Sequence, residues 1–370
     1  MKFSCSREIL DKHLQHLTRI VTVRHSLPVL SHILIETDKD VLRLSGTDLE
    51  IAVTTHLPAN VEQEGTFTLP ARIFSEFVHQ NPDETLTFSL ESYEMVCKGE
   101  KVTARITGLD SDDFPPLPKL EAGKTVRLPA NDFIIAVKQV SIACANDVSR
   151  PVLTGVKVVL QNEMAVLAAT DSFRLAERQI QILPLAEELS LIIPNRALQE
   201  LVRITSSGTM PEDVELEIAE NGVLFRLGDI ELYSRLIAGN FPKYQAIIPS
   251  KFVAEADVAT SELVQALRLL ATFAQAGISN VLMEVIEDGQ LTLTSHGGKG
   301  GMGRNSLSVT LVEGFAPVRA AFNVRFLLDA CAASSSPNLR LRLSGPETPL
   351  VISTGDPHYL QLVMPIRLDA

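Results

Sequence analysis

Four landmarks recur along the chain in one order, and this internal repetition restricts its possible folds more than any other feature. Pro28-Val29-Leu30 returns as Pro151-Val152-Leu153 and Thr47-Asp48 as Thr170-Asp171, both displaced by 123 residues. Leu69-Pro70-Ala71-Arg72 returns as Ile193-Pro194-Asn195-Arg196 at 124, and Asp113-Phe114-Pro115 as Asn240-Phe241-Pro242 at 127. A third copy is fainter: Val152-Leu153 recurs as Val281-Leu282 and Arg196 as Arg325, both at 129. Repeats of about 123 residues are too long for a solenoid unit and the right size for a domain. Three domains are therefore expected, at 1–121, 122–250 and 251–370. The junctions are expected near Pro116–Lys124 and Pro249–Ala254.

Each repeat opens with helical spacing: Leu10, Leu14, Leu17 and Val21; then Phe133, Val137 and Val140; then Leu263, Leu267, Leu270 and Ala274. Short β-rich runs follow, such as His32–Thr37, Val41–Ser45 and Ile51–His56, separated by turn residues. A second helix is expected to begin just after Pro70, Pro194 and Asn323, proline being suited to a first helical turn. Thr85–Leu90 and Glu94–Lys98 illustrate the strands that close a repeat. The predicted class is α+β: three similar domains, each with two helices and two small antiparallel sheets.

Composition and motifs remove several function classes. The chain is 45% hydrophobic but has no apolar run of about 18 residues, so no membrane span is expected. Arg7 and Glu8 interrupt the start before a signal-peptide core forms, which points to a cytoplasmic protein. Cys5, Cys97, Cys144 and Cys331 lie far apart and read as reduced, packed thiols. The glycine-rich stretch Gly297–Gly303 holds Lys299 but lacks phosphate-loop order, and a hairpin loop is the plainer reading. His13 and His16 are three apart, without a third ligand spaced to complete a metal site. The repeated Thr-Asp pair sits at strand corners, where aspartate caps a turn through its side chain. No catalytic residues, cofactor or metal are expected.

Six ordered motifs spread over the whole chain resemble the β subunit of bacterial DNA polymerase III, the sliding clamp. They are Leu27-Pro28-Val29-Leu30, Gly46-Thr47-Asp48-Leu49-Glu50, the run from Ala169 to Leu175, the run from Asn240 to Tyr244, Phe322-Asn323-Val324, and the run from Val363 to Leu368. The resemblance implies clamp domains in a head-to-tail homodimer, a six-domain ring around duplex DNA. It implies processivity for the replicative polymerase, and recruitment of clamp loader and repair polymerases through a peptide-binding pocket. Rival readings are a three-domain nucleic-acid hydrolase, which needs clustered acids not found here, and a DNA-binding regulator built on the same fold.

A net charge of −12 is unusual for a DNA binder, since affinity comes from cations meeting phosphates. The predicted ring-lining helices and their adjoining loops hold eleven basic residues against seven acidic ones, a local +4 that leaves −16 elsewhere. A weakly positive lining attracts phosphates without reading sequence. On the resemblance, Arg24, Arg72, Asn146, Arg150 and Arg196 match positions near DNA, the bland alternative for each arginine being simple solvation. The pocket positions are Leu153, Thr170, Arg174, Leu175, Pro242, Ile247, Asn323, Met364, Pro365, Ile366 and Arg367. Their apolar members can form a cleft for a peptide, while Arg174 and Arg367 can cap its backbone or acidic groups; ordinary core is the alternative for the apolar ones. Phe273 matches a position at the subunit junction. The sequence departs from the family where Ser172-Phe173 replaces Gly-His, at Ala246 where arginine is frequent, and at Asp369-Ala370 beyond the usual last leucine.

Overall fold

Every repeat begins with a strand that runs straight into a helix. In the computed structural model, which describes residues 1–21, 27–118, 120, 123–208, 210–273, 280–286, 289–296, 301–311 and 316–367, the first repeat is β1 (Lys2–Ser6), α1 (Arg7–Leu17), β2 (His32–Asp38), β3 (Val41–Thr47), β4 (Ile51–Pro58), β5 (Asn60–Gln63), β6 (Gly65–Pro70), α2 (Ala71–Gln80), β7 (Thr85–Glu91), β8 (Glu94–Lys98) and β9 (Thr103–Thr107). The second is β10 (Lys124–Pro129), α3 (Ala130–Ser141), β11 (Gly155–Thr170), β12 (Arg174–Pro194), α4 (Asn195–Ser207), β13 (Asp213–Ile218), β14 (Gly222–Leu227) and β15 (Ile230–Arg235). The third is β16 (Ala254–Ala259), α5 (Thr260–Ala271), β17 (Asn280–Ile286), β18 (Gln290–His296), β19 (Met302–Ser308), β20 (Thr310–Leu311), β21 (Val318–Asn323), α6 (Val324–Ala332), β22 (Asn338–Leu343), β23 (Leu350–Ser353) and β24 (Tyr359–Val363). The expected α+β class and two helices per repeat are present.

Helix faces follow the apolar spacing: Leu10, Leu14 and Leu17 are fully buried, as are Phe133, Val137 and Val140. Two helices end earlier than their patterns. α1 stops at Leu17, leaving Val21 buried beyond it, and α5 stops at Ala271; Ala274 lies outside the described residues. Proline precedes α2 and α4 but does not join their first turns. Pro70 and Pro194 are the last residues of β6 and β12, and Pro70 keeps an extended ψ of 115° as the N-cap. Aromatic stacking anchors the first core, with Phe3 and Phe88 ring centroids 4.9 Å apart and Phe74 edge-on to Phe88 at 5.8 Å. All four cysteines are free and buried, and burial pushes each thiol up to about 12.

Two sheets are shared between repeats. An eight-stranded sheet runs β10-β13-β14-β15-β4-β3-β2-β6, and a seven-stranded sheet runs β11-β12-β24-β23-β22-β16-β20. The joins are alike: Ile230–Ser234 of β15 pairs with Ile51–Thr55 of β4, and Tyr359–Val363 of β24 pairs with Arg174–Arg178 of β12. Two further sheets, β5-β1-β7-β8-β9 and β19-β18-β17-β21, stay within the first and third repeats. The chain forms two compact units, residues 1–131 with 200–236 and residues 132–199 with 237–370, each holding one shared sheet. No helix among the described residues is long and apolar enough to cross a membrane.

His13 and His16 on α1 do not reach solvent as a pair. His13 is buried with Nε2 3.3 Å from an Asp229 carboxylate oxygen, and His16 is buried nearby. Desolvation lowers both; Asp229 only partly opposes this for His13, and His13, Lys12 and Arg19 add to the effect on His16, which falls to about 4. An imidazole held neutral in the fold takes up its proton more readily when the chain unfolds, so the unfolded state binds more protons. This contribution to stability is complete above the ordinary histidine value of 6.5 and is lost as pH falls toward 4. Thermal melts across that window should therefore show a shallower acid loss for His16→Gln than for the parent chain. Parallel curves would remove His16 from the acid response.

Candidate functional site

The corner that recurs as Thr47-Asp48 and Thr170-Asp171 is one structure built twice. In the first copy the Thr47 hydroxyl donates to the Ile51 carbonyl at 2.9 Å and accepts from Leu49 N at 3.0 Å. Asp48 Oδ1 accepts from Glu50 N at 3.0 Å and Ile51 N at 2.8 Å. In the second, Thr170 donates to the Arg174 carbonyl at 2.6 Å and accepts from Ser172 N at 3.1 Å, while Asp171 Oδ1 accepts from Phe173 N and Arg174 N, both at 2.9 Å. Leu49 and Ser172 carry left-handed φ values of 76° and 77°. The aspartates serve as turn caps, the role read from their corner positions.

The second corner carries Arg174 to the centre of a polar network. Its Nε donates to Asp171 Oδ2 at 2.9 Å, and a terminal nitrogen donates to Asp329 Oδ2 on α6 at 2.6 Å. Its guanidinium carbon stands 4.4 Å from the centroid of Phe326, also on α6. Arg174 thus ties β12 to α6. Two of its nitrogens are engaged within the fold.

Beside it opens a cleft of about 510 Å³ whose walls include Asn146, Arg150, Leu153, Phe173, Arg174 and Phe326. Two residues expected near DNA, Asn146 and Arg150, therefore share a cleft with two pocket residues, Leu153 and Arg174. Arg150 donates to the Ser172 hydroxyl at 3.3 Å. Phe173 is 64% exposed, and its carbonyl accepts from Met364 N at 2.8 Å. Ile366 N donates to the Ala321 carbonyl at 2.7 Å, so the chain end is pinned at two points, with Pro365 between them and Arg367 exposed.

The remaining pocket residues are placed differently. Leu175 is fully buried in a small core with Ala168, Tyr244, Val351 and Leu362, the core alternative for an apolar position. Pro242 and Ile247 are exposed on the turn that Tyr244 roots into that core, and Asn323 spends its side chain capping α6 through Arg325 N at 2.9 Å. Of the DNA set, Arg72 is exposed and ion-paired with Glu76 at 3.0 Å, Arg196 is exposed on α4, and Arg24 lies outside the described residues. The ring of Phe273 packs on Gly303 of β19, where a methyl group would meet it at 2.7 Å. Residues 297–300 of the glycine-rich stretch lie outside the described residues. Phe326 and Leu362 were not foreseen; Phe326 lies on the amphipathic helix α6, and Leu362 in a strand buried along most of its length. Among the described residues no group of three histidines, cysteines or acids is arranged to hold a metal.

Across the two shared sheets, strand register aligns two rows of residues. One reads Glu217–Leu224–Tyr233–Ala52 and the other Arg342–Val351–Leu362–Leu175. Ala52 and Leu175 differ by the repeat offset of 123.

Three family models match the chain in succession: the DNA polymerase III beta subunit N-terminal domain over residues 1–118, the central domain over 127–243 and the C-terminal domain over 245–367. The chain is 27% identical over 377 residues to the beta sliding clamp of Staphylococcus aureus, covering 99% of each. It is 28% identical over 379 residues to that of Bacillus subtilis, covering 99% of this chain and all of the relative. The solved Bacillus subtilis DNA polymerase sliding clamp superposes over the full length of both chains with a TM-score of 0.95 at 27% identity. The DNA polymerase III beta subunit of Thermotoga maritima does so at 0.92 and 26%.

Asp171 holds the corner and one side of Arg174 together. Asp171→Ala removes three hydrogen bonds to its carboxylate, and bonds to a charged group contribute about 1.5–3 kcal/mol. A loss of about that size should appear in urea unfolding; a change below about 0.5 kcal/mol, the level of an ordinary surface substitution, would show that the corner holds without it.

Proposed function

The chain belongs to the DNA polymerase III beta-subunit family, and from that membership we propose how its residues perform the work of a sliding clamp. Members of this family are processivity factors in DNA replication and have no active site of their own. The domain limits proposed here remain 1–121, 122–250 and 251–370.

One observation carries the assembly. β15 pairs with β4 and β24 with β12, always the last strand of one repeat on the equivalent strand of the preceding one. The series leaves β9 of the first repeat and β19 of the third, each paired on one side only among the described residues. Exposed strand edges present unpaired N–H and C=O groups that seek another strand. Two copies arranged head to tail satisfy both, β9 of each on β19 of the other, and six repeats close into a ring. Phe273, packed on Gly303 of β19, stiffens that edge from behind.

DNA passes through the ring and is held by closure, so few phosphate contacts are needed and sliding is unimpeded. Arg72 and Arg196 suit this role because both are exposed on helices; Arg24 belongs to the same proposed set. Asn146 and Arg150 lie between DNA and peptide roles, and their place in the cleft favours a share in the second. An extended peptide from a replicative or repair polymerase, or from the clamp loader, is proposed to lie against Phe173, Leu153 and Phe326. Met364, Pro365, Ile366 and Arg367 frame one side, Pro242 and Ile247 another, and Thr170, Leu175 and Asn323 support the surface from below. Such a protein works beside the chromosome, in the cytoplasm.

At micromolar concentration the protein should sediment at about twice 40.4 kDa, remain on closed circular DNA after loading, and run off linear duplex. Phe273→Glu should sediment as a monomer and be lost from both DNAs. Equal retention of the parent protein on circles and linear ends would refute encirclement. A dimeric Phe273→Glu would take Phe273 out of the junction.

Ending the chain at Val363 removes the hydrogen bonds of Met364 and Ile366. Affinity for a polymerase peptide, about micromolar for a short flexible ligand, should drop at least tenfold in fluorescence anisotropy, with the dimer mass unchanged. Full affinity in the truncated protein would place the pocket elsewhere.

A further inference from the structure

The two register rows end differently. At Glu217 the row ends in an ion pair: Glu217 accepts from Arg226 at 2.7 Å, and the same guanidinium also reaches Glu231 at 3.2 Å and Glu215 at 3.3 Å. At the equivalent place in the other sheet stands Arg342, a cation in place of an anion. It is half-buried, its guanidinium carbon lies 4.7 Å from the centroid of Phe252, and its Nε is buried with no hydrogen-bond partner among the described residues. Glu255, its cross-strand neighbour on β16, makes no direct salt bridge with it, though its charge acts on Arg342 from further off. Desolvation lowers its pKa; the charge of Glu255 opposes this only in part, and Arg340 adds to it.

Arg342 lines an open cleft of about 530 Å³ on the face of the seven-stranded sheet, apart from the cleft at Arg174. Two carboxylates stand in its wall, and both are already matched. Asp257 receives two hydrogen bonds from Arg340 at 2.7 and 2.8 Å, and Asp356 is paired with Arg178. Arg342 is thus the guanidinium in the wall to which no carboxylate is bonded among the described residues. Leaving a half-buried cation unpaired destabilises a fold unless something else meets it.

We propose that Arg342 is the receptor for a single carboxylate, the side chain of an acidic residue on a partner peptide, in a site distinct from the Arg174 cleft. Ser353 and Thr354 border the same cleft with hydroxyls able to hydrogen-bond a peptide backbone. A single guanidinium without a bonded carboxylate matches a monoanion. Phosphate carries more charge than one guanidinium balances, so nucleic acid and phosphopeptides are disfavoured occupants.

The test uses the full chain labelled with ¹⁵N-arginine. The Arg342 Nε–Hε resonance is assigned by its disappearance in Arg342→Met. Acetyl-Gly-Glu-Gly-amide should shift that resonance saturably, and acetyl-Gly-Gln-Gly-amide should shift it at least fivefold less at equal concentration. Arg342→Met should melt at the same temperature as the parent or higher, because it removes an unpaired charge. An equal or absent response to the two peptides, tighter binding of inorganic phosphate, or a lowered melting temperature for Arg342→Met would each overturn the proposal. The last outcome would make Arg342 a structural residue.

Discussion

Backbone hydrogen bonding at strand edges is the constraint on which the remaining architecture rests. A sheet whose last strand is unpaired leaves a row of donors and acceptors facing water or another chain. Here two such edges are closed by short antiparallel ladders, β15 on β4 and β24 on β12. These ladders let separate repeats act as continuous sheets, and the second sets Arg174 opposite Val363, next to the pinned residues after β24. The cleft exists because a ladder between repeats brings β12, α6 and the chain end to one place.

Local chemistry explains what the sequence reveals and what it hides. The repeat offsets, the amphipathic helices and most strands are readable because each depends on spacing within a few residues. The Thr-Asp corner is readable for the same reason: Asp171 bonds to backbone two and three residues ahead. Arg174 is different. Residue type suggests a free cation, whereas its partner Asp329 is 155 residues away, a distance no local pattern spans. Leu175 looks like a pocket lining and is core, because burial depends on the turn bearing Tyr244 that folds over it. Helix ends also escaped the spacing rule: α5 ends at Ala271, one residue after its last fully buried leucine.

Charge shows the same division. Net charge reports on the whole chain, yet the relevant quantity is which carboxylate meets which guanidinium. Arg340 and Arg178 each hold one aspartate, so these two acids add little field of their own, whereas Arg226 is shared among three glutamates and leaves that cluster net negative. Only the folded register shows that Arg342 occupies the place taken by Glu217 in the sister sheet.

The middle repeat is divided between the two compact units, with β13–β15 in one and β11 and β12 in the other. Dissection by sequence repeat and dissection by contact therefore give different fragments. A gene piece encoding residues 122–250 alone would part β15 from β4 and β12 from β24 at once. It would emerge from the ribosome with two sticky margins, four strands of one shared sheet and two of the other, a composition prone to self-association. The unit recognisable in sequence and the unit compact in space are thus out of phase, and neither shared sheet lies within one repeat.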